Sequence, residues 1–369
     1  MKSNFKILFL SRASLFTIQG GDTVQILKTA EALRKLNVEI DLKLCNEKSI
    51  AYSSYKLIHF FNIRPADMML HIKKSNLPYV VSTIYVDHAK PAAQKAEGAR
   101  DRILNLFSSD AQEYIKTMAK AILRKEKIVS NSYIWKLHRR SVRWTLEHAT
   151  ELLPNSENEY KRLVSTYGIE KKYTVIPNAA DIEIFKYCSE DIMAKDNKMV
   201  LCVARIEQRK NQLNLIKALN DTKFQLYIIG NPAPNHTGYY NECKRISSQN
   251  IHFIDAITQE ELVQYYKKAK VHVLPSWFET TGLASLEALF CGCNIVVTQY
   301  GDTVDYFDTA DYVYCDPESV TSIRQAVEQA ASKEINTRLI DQAIEKYNWK
   351  EAAEKTFSVY QKFIDQCNH

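Results

Sequence analysis

The sequence has no long hydrophobic run, and this absence excludes the usual architecture of a membrane-spanning protein. A transmembrane helix needs about 20 consecutive apolar residues, and no stretch of the 369-residue chain reaches that length. The apolar run near the start is broken by Lys6 and Arg12, so we predict a first β-strand there rather than a signal peptide. We expect a cytoplasmic protein, with peripheral contact to the inner face of a membrane left open.

Cysteine pairs with metal-binding or redox spacing are also missing. None of the eight cysteines forms a C-x-x-C pair, and Cys291 and Cys293 are separated by a single glycine. That spacing is too close for an ordinary zinc site. We therefore predict reduced structural cysteines, no metal and no bound cofactor. There is no G-x-G-x-x-G either, which counts against a dinucleotide-dependent oxidoreductase.

Acidic residues are scarce in the first part of the chain. Residues 1–150 carry 25 Lys and Arg against 13 Asp and Glu, whereas the whole chain has a net charge of only +6. The positive charge is thus concentrated in this part, and the remainder is weakly acidic. Such an excess predicts an anionic partner, for example lipid phosphate or nucleic acid.

Short apolar runs alternate with amphipathic segments along the chain, which predicts an α/β protein with parallel sheets. In the first half we predict a helix over 22–36 and strands over 5–10, 38–44, 57–61, 79–85 and 173–178. The stretch 91–147 is expected to be mostly helical. In the second half the predicted strands are 199–204, 224–229, 251–254, 271–274 and 294–298.

A polar segment, residues 186–198, separates these two series and marks a domain boundary. We predict two Rossmann-like, doubly wound parallel-sheet domains that face each other across a cleft. The first covers 1–185 and the second 186–349. A final amphipathic helix within 350–369 is expected to pack back on the first domain.

The segment WFETTGLASLEALFCG (277–292) places two carboxylates around a strand-to-helix turn. Glu279 precedes the predicted helix and Glu287 shares a face with its apolar residues, where a carboxylate is costly unless something satisfies it. Backbone N–H groups at the start of that helix favour anions. Two interpretations stay open: a ligand site at the carboxyl end of a strand, or one locally paired Glu and one exposed Glu.

Five segments, taken together and in order, resemble the family 4 retaining glycosyltransferases of the GT-B architecture (glycosyl transferases group 1). This family moves a sugar from a nucleotide-diphosphate sugar with retention of configuration, usually without a metal. The absence of a D-x-D motif agrees with that resemblance. The segments are 20–36 (GGDTVQILKTAEALRKL), 173–185, 203–219 (VARIEQRKNQLNLIKAL), 252–275 and 277–292.

The resemblance implies roles for residues of the second half. Arg205 and Lys210 match the cations that bind the donor diphosphate, a task suited to a forked guanidinium and a compact ammonium. Glu279 is expected to contact the transferred sugar, and these three are the predicted catalytic residues. Here Thr280 stands where the family usually has glycine. Predicted donor-binding residues are Gly21, Gly230, Ile257, Thr280, Thr281, Gly282, Leu283 and Glu287, the last on the ribose hydroxyls.

The acceptor side is less sharply defined by the sequence. Many family members have a histidine at the end of the strand that corresponds to 79–85. Tyr85 occupies that position here, with Asp87 and His88 just after it. Either Tyr85 replaces the histidine, or His88 takes its place, or all three only line the acceptor pocket. Gly20 and Gly21 open the first helix, where glycine lets a backbone approach a ligand closely.

A basic stretch, residues 116–143, interleaves cations with apolar side chains. An anionic membrane surface that holds a lipid-linked acceptor is one interpretation, and a solvated helix face with its aromatics in the core is the other. The cations are Lys116, Lys120, Arg124, Lys125, Lys127, Lys136, Arg139, Arg140 and Arg143, interleaved with Ile134, Trp135 and Trp144.

The leading hypothesis is a retaining hexosyltransferase that transfers from a nucleotide sugar to a saccharide or lipid-linked acceptor in surface polysaccharide or lipopolysaccharide synthesis. A GT-B-like nucleotide-sugar epimerase is the alternative among enzymes. A basic nucleic-acid-binding module is the alternative from another class. We expect no nucleic-acid partner, because no such motif is present in the sequence.

Overall fold

The computed structural model describes residues 6–17, 20–47, 49–86, 109–123, 130–308 and 310–367. Contacts divide the chain into two units. The first comprises the described residues up to 178 together with Trp349 onward, and the second comprises residues 179–348. The predicted boundary after residue 185 thus lies inside the second unit.

The first unit is built on a five-stranded parallel sheet in the order β2-β1-β3-β4-β5. Four of its strands, β1, β3, β4 and β5, are buried along most of their length, as parallel strands covered by helices require, whereas the edge strand β2 is partly exposed. The order reverses direction between β1 and β3, and loops at the carboxyl ends of strands beside such a reversal are where open α/β sheets bind ligands. The strands are β1 (Lys6–Ser11), β2 (Glu39–Leu44), β3 (Leu57–Phe61), β4 (Tyr79–Ser82) and β5 (Glu151–Leu153).

The helices of the first unit follow the strands in the expected alternation. They are α1 (Gly21–Lys35), α2 (Pro65–Ser75), α3 (Ser109–Leu123), α4 (Asn131–Glu147) and α5 (Glu157–Tyr167).

The C-terminal helix, Trp349–Cys367, packs against α1 within the first unit. The hydroxyl of its Tyr360 lies 2.5 Å from Nδ1 of His59 on β3, whose Nε2 is 2.8 Å from the hydroxyl of Ser82. Burial lowers the pKa of His59 to about 3, so the imidazole is neutral. This buried chain of hydrogen bonds fixes the C-terminal helix to the central strands of the sheet.

The second unit contains a six-stranded parallel sheet in the order β11-β10-β9-β6-β7-β8. If these strands are numbered 1 to 6 along the chain, their order across the sheet from β8 to β11 is 3-2-1-4-5-6, which is the order of the Rossmann fold. The strand order reverses between β6 and β9. The strands are β6 (Asp196–Val203), β7 (Gln225–Ile229), β8 (Ile251–Ile254), β9 (Ala269–Leu274), β10 (Asn294–Thr298) and β11 (Val313–Cys315).

Helices alternate with these strands throughout the second unit. They are α6 (Ser189–Met193), α7 (Gln212–Leu219), α8 (Thr237–Ile246), α9 (Gln259–Lys268), α10 (Leu283–Phe290), α11 (Thr303–Tyr306), α12 (Val320–Ser332) and α13 (Thr337–Lys346). The predicted architecture of two Rossmann-like parallel-sheet domains is confirmed. Among the described residues, the model contains no helix whose length and apolar character would let it cross a membrane.

Three predicted elements differ from the structure. β4 ends at Ser82 instead of residue 85, because the chain turns at Ile84, which has φ +42°. The predicted strand 173–178 is absent, and only Tyr173 forms a bridge, to Leu152. The polar segment 186–198 is not a simple linker, since it contains α6 and the first residues of β6.

Candidate active site

The two loops that carry the strongest sequence signals follow neighbouring strands. Residues 204–211 follow β6 and residues 275–282 follow β9, and these strands pair side by side in parallel. Since the order of the sheet reverses between β6 and β9, both loops lie at the position where doubly wound sheets bind ligands.

Backbone contacts join the two loops in register. The N–H of Trp277 donates to the carbonyl of Arg209 at 2.9 Å, and the Arg209 guanidinium donates to the carbonyl of Phe278 at 3.1 Å. Asn211, at φ +59°, donates from its side chain to the carbonyl of Pro275 at 3.1 Å. These hydrogen bonds therefore hold the two loops together, which brings Lys210 opposite Glu279.

Lys210 and Glu279 form a buried ion pair. The Lys210 ammonium donates to Glu279, whose side chain is only 8% exposed, and the Ser276 hydroxyl donates to the same carboxylate at 3.2 Å. Burial would raise the pKa of Glu279, but the Lys210 and Arg209 charges and these hydrogen bonds hold that pKa below its usual value. Burial lowers the pKa of Lys210, and Glu279 opposes this shift.

Arg205 lies in the same loop as Lys210 and is the more exposed of the two cations. Its side chain is 49% exposed and its nearest carboxylate, that of Glu207, is 3.8 Å away. Glu207 also accepts from Arg209 at 2.9 Å. Sequence analysis missed Glu207 and Arg209. Their two-residue spacing within 205–209 was visible, but nothing in the sequence indicated that Arg209 would reach Phe278 in the other loop.

Two glycines let backbones approach closely here. A Cβ atom on Gly301, at φ +106°, would lie 2.0 Å from the carbonyl oxygen of Glu279. Gly301 pairs with Glu279 as a β-bridge, so the absence of a side chain at 301 holds the Glu279 backbone in place. Gly230, at φ +144°, lies equally close to Ala204, 2.2 Å from its carbonyl oxygen to a built Cβ. The close approach of the Ala204 backbone thus explains why a glycine stands at position 230, next to the loop that carries Arg205.

The predicted anion site coincides with the start of α10. Gly282 is the N-cap residue in the left-handed region, at φ +70°, and Leu283 is the first helical residue. Thr280 is half-buried in the loop before it, and Thr281 is buried, with its hydroxyl 3.4 Å from that of Tyr306. The Ser285 hydroxyl in the first turn is buried and meets no hydrogen-bond partner among the described residues.

Glu287 lies one turn further along α10. The hydroxyl of Tyr266, which is fully buried, donates to its carboxylate at 3.3 Å. Burial raises the pKa of Glu287 to about 8, and the Tyr266 hydrogen bond opposes that shift. The carboxylate therefore lacks a cationic partner strong enough to keep it ionised at neutral pH. Tyr266 is a third residue that sequence analysis missed, because its position on α9 gives no sign of this contact.

Ile257, the last predicted donor contact in this unit, lies just after β8 and packs half-buried against the core. Gly230 and Ile254 are linked at the same edge of the sheet, where the Gly230 N–H donates to the Ile254 carbonyl at 2.9 Å. The structure thus places these residues at the carboxyl ends of β7 and β8, next to the β6 loop.

In the first unit, Gly20 and Gly21 open α1 beside a rigid ion pair. The Arg12 guanidinium donates to both oxygens of Asp22, at 2.7 and 3.0 Å. A bidentate pair of this kind fixes direction as well as distance. The loop between β1 and α1 is therefore anchored on both sides of Gly21.

The Tyr85 side chain packs against α5. Its ring meets Tyr167 edge to face, with centroids 5.8 Å apart, and its hydroxyl donates to that of Thr166 at 3.2 Å. Asp87 and His88 lie outside the described residues. Their roles and that of Tyr85 stay predictions.

Part of the basic stretch 116–143 is described, on α3 and α4; Arg124, Lys125 and Lys127 lie outside the described residues. On α4, Trp135 is 86% exposed and Leu137 is 54% exposed, next to Lys136, Arg139 and Arg140. Trp144 packs against His148 on the same helix, with ring centroids 4.6 Å apart. The interpretation that the aromatics lie in the core is therefore wrong for Trp135.

No group of three or more His, Cys, Asp or Glu side chains that could hold a metal ion occurs within the described part of the chain. The buried cysteines of the second unit, including Cys291 and Cys293, are free thiols.

The comparison with protein families gives a match that covers most of the second unit and the first residues of the C-terminal helix. Residues 189–355 match the family described as glycosyl transferases group 1. The predicted resemblance to this group is thereby confirmed.

Individual relatives are distant. A protein of Thermosipho melanesiensis described as a probable sucrose-phosphate synthase is 26% identical over 224 residues, which are 56% of this chain and 51% of that protein. The chain spans about half the length of the curated relatives it matches, or less.

Solved structures share the fold over nearly the whole chain. The sucrose-phosphate synthase of Thermosynechococcus elongatus has a TM-score of 0.75 at 15% identity, covering 98% of this chain and 100% of that one. Anabaena Alr3699/HepE, solved in complex with UDP and glucose, has a TM-score of 0.68 at 14% identity, covering 97% of this chain and 100% of that one. These similarities confirm the predicted GT-B fold.

Proposed function

We propose, on the premise that residues 189–355 belong to the glycosyl transferases group 1, that this protein is a retaining, metal-independent glycosyltransferase. Its donor is a nucleotide-diphosphate sugar. Its acceptor is a saccharide or lipid-linked saccharide, in the synthesis of surface polysaccharide or lipopolysaccharide. The acceptor and the pathway are the finer part of this proposal, and they rest on the family resemblance and on the basic surface of α4.

One observation carries the proposal. Arg205 and the Lys210–Glu279 pair lie in joined loops at the reversal of the second sheet, next to the first turn of α10. In a glycosyl transfer the diphosphate departs with growing negative charge, so fixed cations and helix N–H groups lower the barrier. Arg205 supplies an exposed fork for the diphosphate, and Lys210 supplies a point charge.

The paired state of Lys210 has a consequence for catalysis. Glu279 pairs with Lys210, so the protein itself holds the cation in position for the donor. An incoming diphosphate shares the ammonium, and the Glu279 carboxylate becomes free to accept hydrogen bonds from the sugar. The acceptor hydroxyl oxygen then bonds to the anomeric carbon on the face from which the diphosphate leaves, the bond from that carbon to the phosphate oxygen breaks, and the hydroxyl proton passes to the departing phosphate, which gives retention. Positioning and electrostatics supply the rate enhancement.

Glu287 is proposed to bind the ribose diol. A half-buried carboxyl whose pKa is raised to about 8 gains the most from two hydroxyl donors, because they stabilise the ionised form. Tyr266 supplies one such hydrogen bond from the protein side. The nucleotide would therefore complete a hydrogen-bonding set that the protein leaves incomplete.

The test is a thermal-shift panel of UDP, GDP, ADP and their sugars, followed by NMR of the products. A ligand that binds only the folded state raises the melting temperature. We expect one nucleotide series to raise it, and the product to retain the anomeric configuration of the donor. Conversion of the donor to an epimer without acceptor would support the epimerase alternative. Absence of any shift would reject the proposal.

We also propose that the exposed face of α4 contacts an anionic membrane. Trp135 and Leu137 are exposed beside Lys136, Arg139 and Arg140, a combination suited to the headgroup region. The test is flotation with vesicles of phosphatidylcholine mixed with phosphatidylglycerol, against vesicles of phosphatidylcholine alone. Trp135→Ser should lose binding, whereas Lys217→Ser, an exposed lysine on α7, should retain it. Binding of duplex or single-stranded probes in a filter assay instead would favour the nucleic-acid alternative.

A further inference from the structure

The turn after β4 has a conformation that its residue disfavours. Ile84 has φ +42°, and a β-branched side chain in the left-handed region is a steric outlier. Such residues persist only where the surrounding structure holds them, and they cluster at ligand-binding and catalytic sites. Some group outside the turn must therefore hold Ile84 in this conformation.

Glu159 on α5 is that group. One oxygen of its carboxylate accepts from the hydroxyl of Thr83 and, at 2.9 Å, from the N–H of Tyr85. The two donors flank Ile84 in the sequence, so a single oxygen fixes the chain on both sides of the outlier. Glu159 is 0% exposed, and hydrogen bonds to a buried carboxylate are strong.

The same helix holds the turn at two more points. The Arg162 guanidinium donates to the carbonyl of Tyr85 at 3.2 Å. One turn further on, Thr166 and Tyr167 receive the Tyr85 side chain. Both the backbone and the side chain of Tyr85 are therefore directed by α5. These contacts favour a structural role for the Tyr85 phenol over a role as an acid or base.

The other carboxylate oxygen of Glu159 connects the turn to α1. It accepts from the N–H of Asn155 at 3.0 Å, and the Asn155 side-chain oxygen accepts from Gln25 at 2.7 Å. Gln25 and Asn155 are each 4% exposed. A buried network thus joins the ends of β4 and β5 to the helix that begins at Gly21.

We propose that Glu159 is a positioning residue for the transfer reaction. It holds the Thr83–Tyr85 turn in its disfavoured conformation, at the same edge of the first sheet as Gly21. This inference rests on the proposed function, because it assigns that edge to the acceptor. Glu159 makes no contact with substrate in this proposal; it acts through the turn that it holds.

The test compares Glu159→Gln with Glu157→Gln, an exposed glutamate on the same helix. An amide has one acceptor atom where the carboxylate has two, so Glu159→Gln must lose the donors on one side. With the nucleotide sugar that the wild-type protein turns over fastest, we expect kcat to fall about tenfold or more, since small misplacements are costly. KM for that donor and the Kd of the matching nucleoside diphosphate should change less than about twofold. Glu157→Gln should match the wild type.

A second substitution separates positioning from damage to the fold. Ile84→Gly removes the steric objection to positive φ. Added to Glu159→Gln, it should recover most of the lost kcat, about fivefold or more, because the turn no longer needs to be held against its preference. Hydrogen exchange of a peptide covering 83–86 should accelerate in Glu159→Gln and not in Glu157→Gln.

Three results would overturn the inference. They are an unchanged kcat in Glu159→Gln, a loss of donor affinity equal to the loss of kcat, and unchanged exchange of 83–86. A wild-type protein that neither binds nor turns over any nucleotide sugar would reject the proposed function, and the catalytic role of Glu159 with it. The exchange comparison alone would still decide whether Glu159 holds the turn.

Discussion

At the scale of single residues, the candidate site combines ionised groups that are paired with one carboxyl that is not. Glu279 has Lys210, Arg209 and Ser276 near its carboxylate, whereas Glu287 accepts a hydrogen bond from the neutral Tyr266 hydroxyl. The two glutamates that stand out in the sequence therefore have opposite electrostatic environments. Their pKa values are shifted in opposite directions, and each shift leads to a measurable prediction.

The Lys210–Glu279 pair should show strong coupling in a double-mutant cycle. Lys210→Met leaves a buried carboxylate without its cation, and Glu279→Gln leaves a buried ammonium. Each single change should therefore lower the free energy of unfolding by about 3 kcal/mol. The double variant should lose clearly less than the sum. Urea-dependent hydrogen exchange of second-unit peptides measures these differences, with exposed Lys217→Met as the control.

A loss in the double variant equal to the sum of the two single losses would show that the pair is not coupled. That result would also remove the argument that Glu279 holds Lys210 in position before the donor binds.

Glu287 should make the stability of the second unit depend on pH. Its pKa is about 8 in the folded protein, against an ordinary value of 4.5, so the folded state binds more protons between these values. The free energy of unfolding should therefore fall as pH rises from about 4.5 to 8. Glu287→Gln removes this contribution, so the variant should gain stability relative to the wild type between pH 5 and pH 9.

Tyr266→Phe provides a matched test of the same carboxyl. The Tyr266 hydroxyl donates to the Glu287 carboxylate, and this donation favours the ionised form. Its removal should raise the pKa of Glu287 further and steepen the fall in stability above neutral pH. If the pH profiles of Tyr266→Phe and the wild type coincide, Glu287 is not held by this hydrogen bond.

At the scale of elements, loops at the ends of strands carry the candidate chemistry, and glycines allow those loops to touch. Gly301 is the clearest case, because its missing side chain makes room for the Glu279 carbonyl. The absence of a side chain at Gly301 thereby sets the position of the Glu279 backbone in the neighbouring loop.

Gly301→Ala should lower stability and nucleotide binding together. The added Cβ would meet the Glu279 carbonyl oxygen at 2.0 Å, so the Glu279 backbone must shift away from its bridge. We expect a loss of stability of about 2 kcal/mol or more and a loss of the thermal shift with the nucleotide that the wild type binds. Gly238→Ala is the control, since a Cβ there meets nothing within 4 Å and alanine favours the helix.

Elements with strong apolar runs were predictable, and elements shaped by distant side chains were not. The strands β1, β3 and β8 match their predicted ranges closely, because buried parallel strands are continuous apolar segments. The predicted strand 79–85 is three residues too long, since Glu159 holds the chain in a turn at Ile84. A contact between residues 74 positions apart leaves no trace in a local pattern.

At the scale of the whole molecule, two sheets with different strand orders carry the two halves of the proposed reaction. The second sheet has the Rossmann order, and its reversal point lies at the loops of Arg205 and Glu279. The first sheet has the order 2-1-3-4-5, and its chain segments hold most of the positive charge. This division agrees with the proposal that the second unit binds the donor and the first unit binds the acceptor.

The candidate site was predictable as a set of motifs, and its internal contacts were not. Arg205, Lys210, Glu279 and Glu287 stand in segments whose order along the chain indicates the family. The contacts of Arg209 with Phe278, of Tyr266 with Glu287 and of Glu159 with Thr83 join segments that are separated in the sequence. Only the folded chain brings each of these side chains to its partner.

Calorimetric titration with UDP and GDP tests the central claim most directly: cations and carboxylates of the second unit bind a nucleotide diphosphate. We predict that one nucleotide binds the wild-type protein and that Arg205→Met weakens its affinity about tenfold or more, as loss of a charge-assisted hydrogen bond implies. Glu287→Gln should weaken it too, and Lys217→Met should not. Wild-type affinity in both Arg205→Met and Glu287→Gln, or no nucleotide binding at all, would contradict the account.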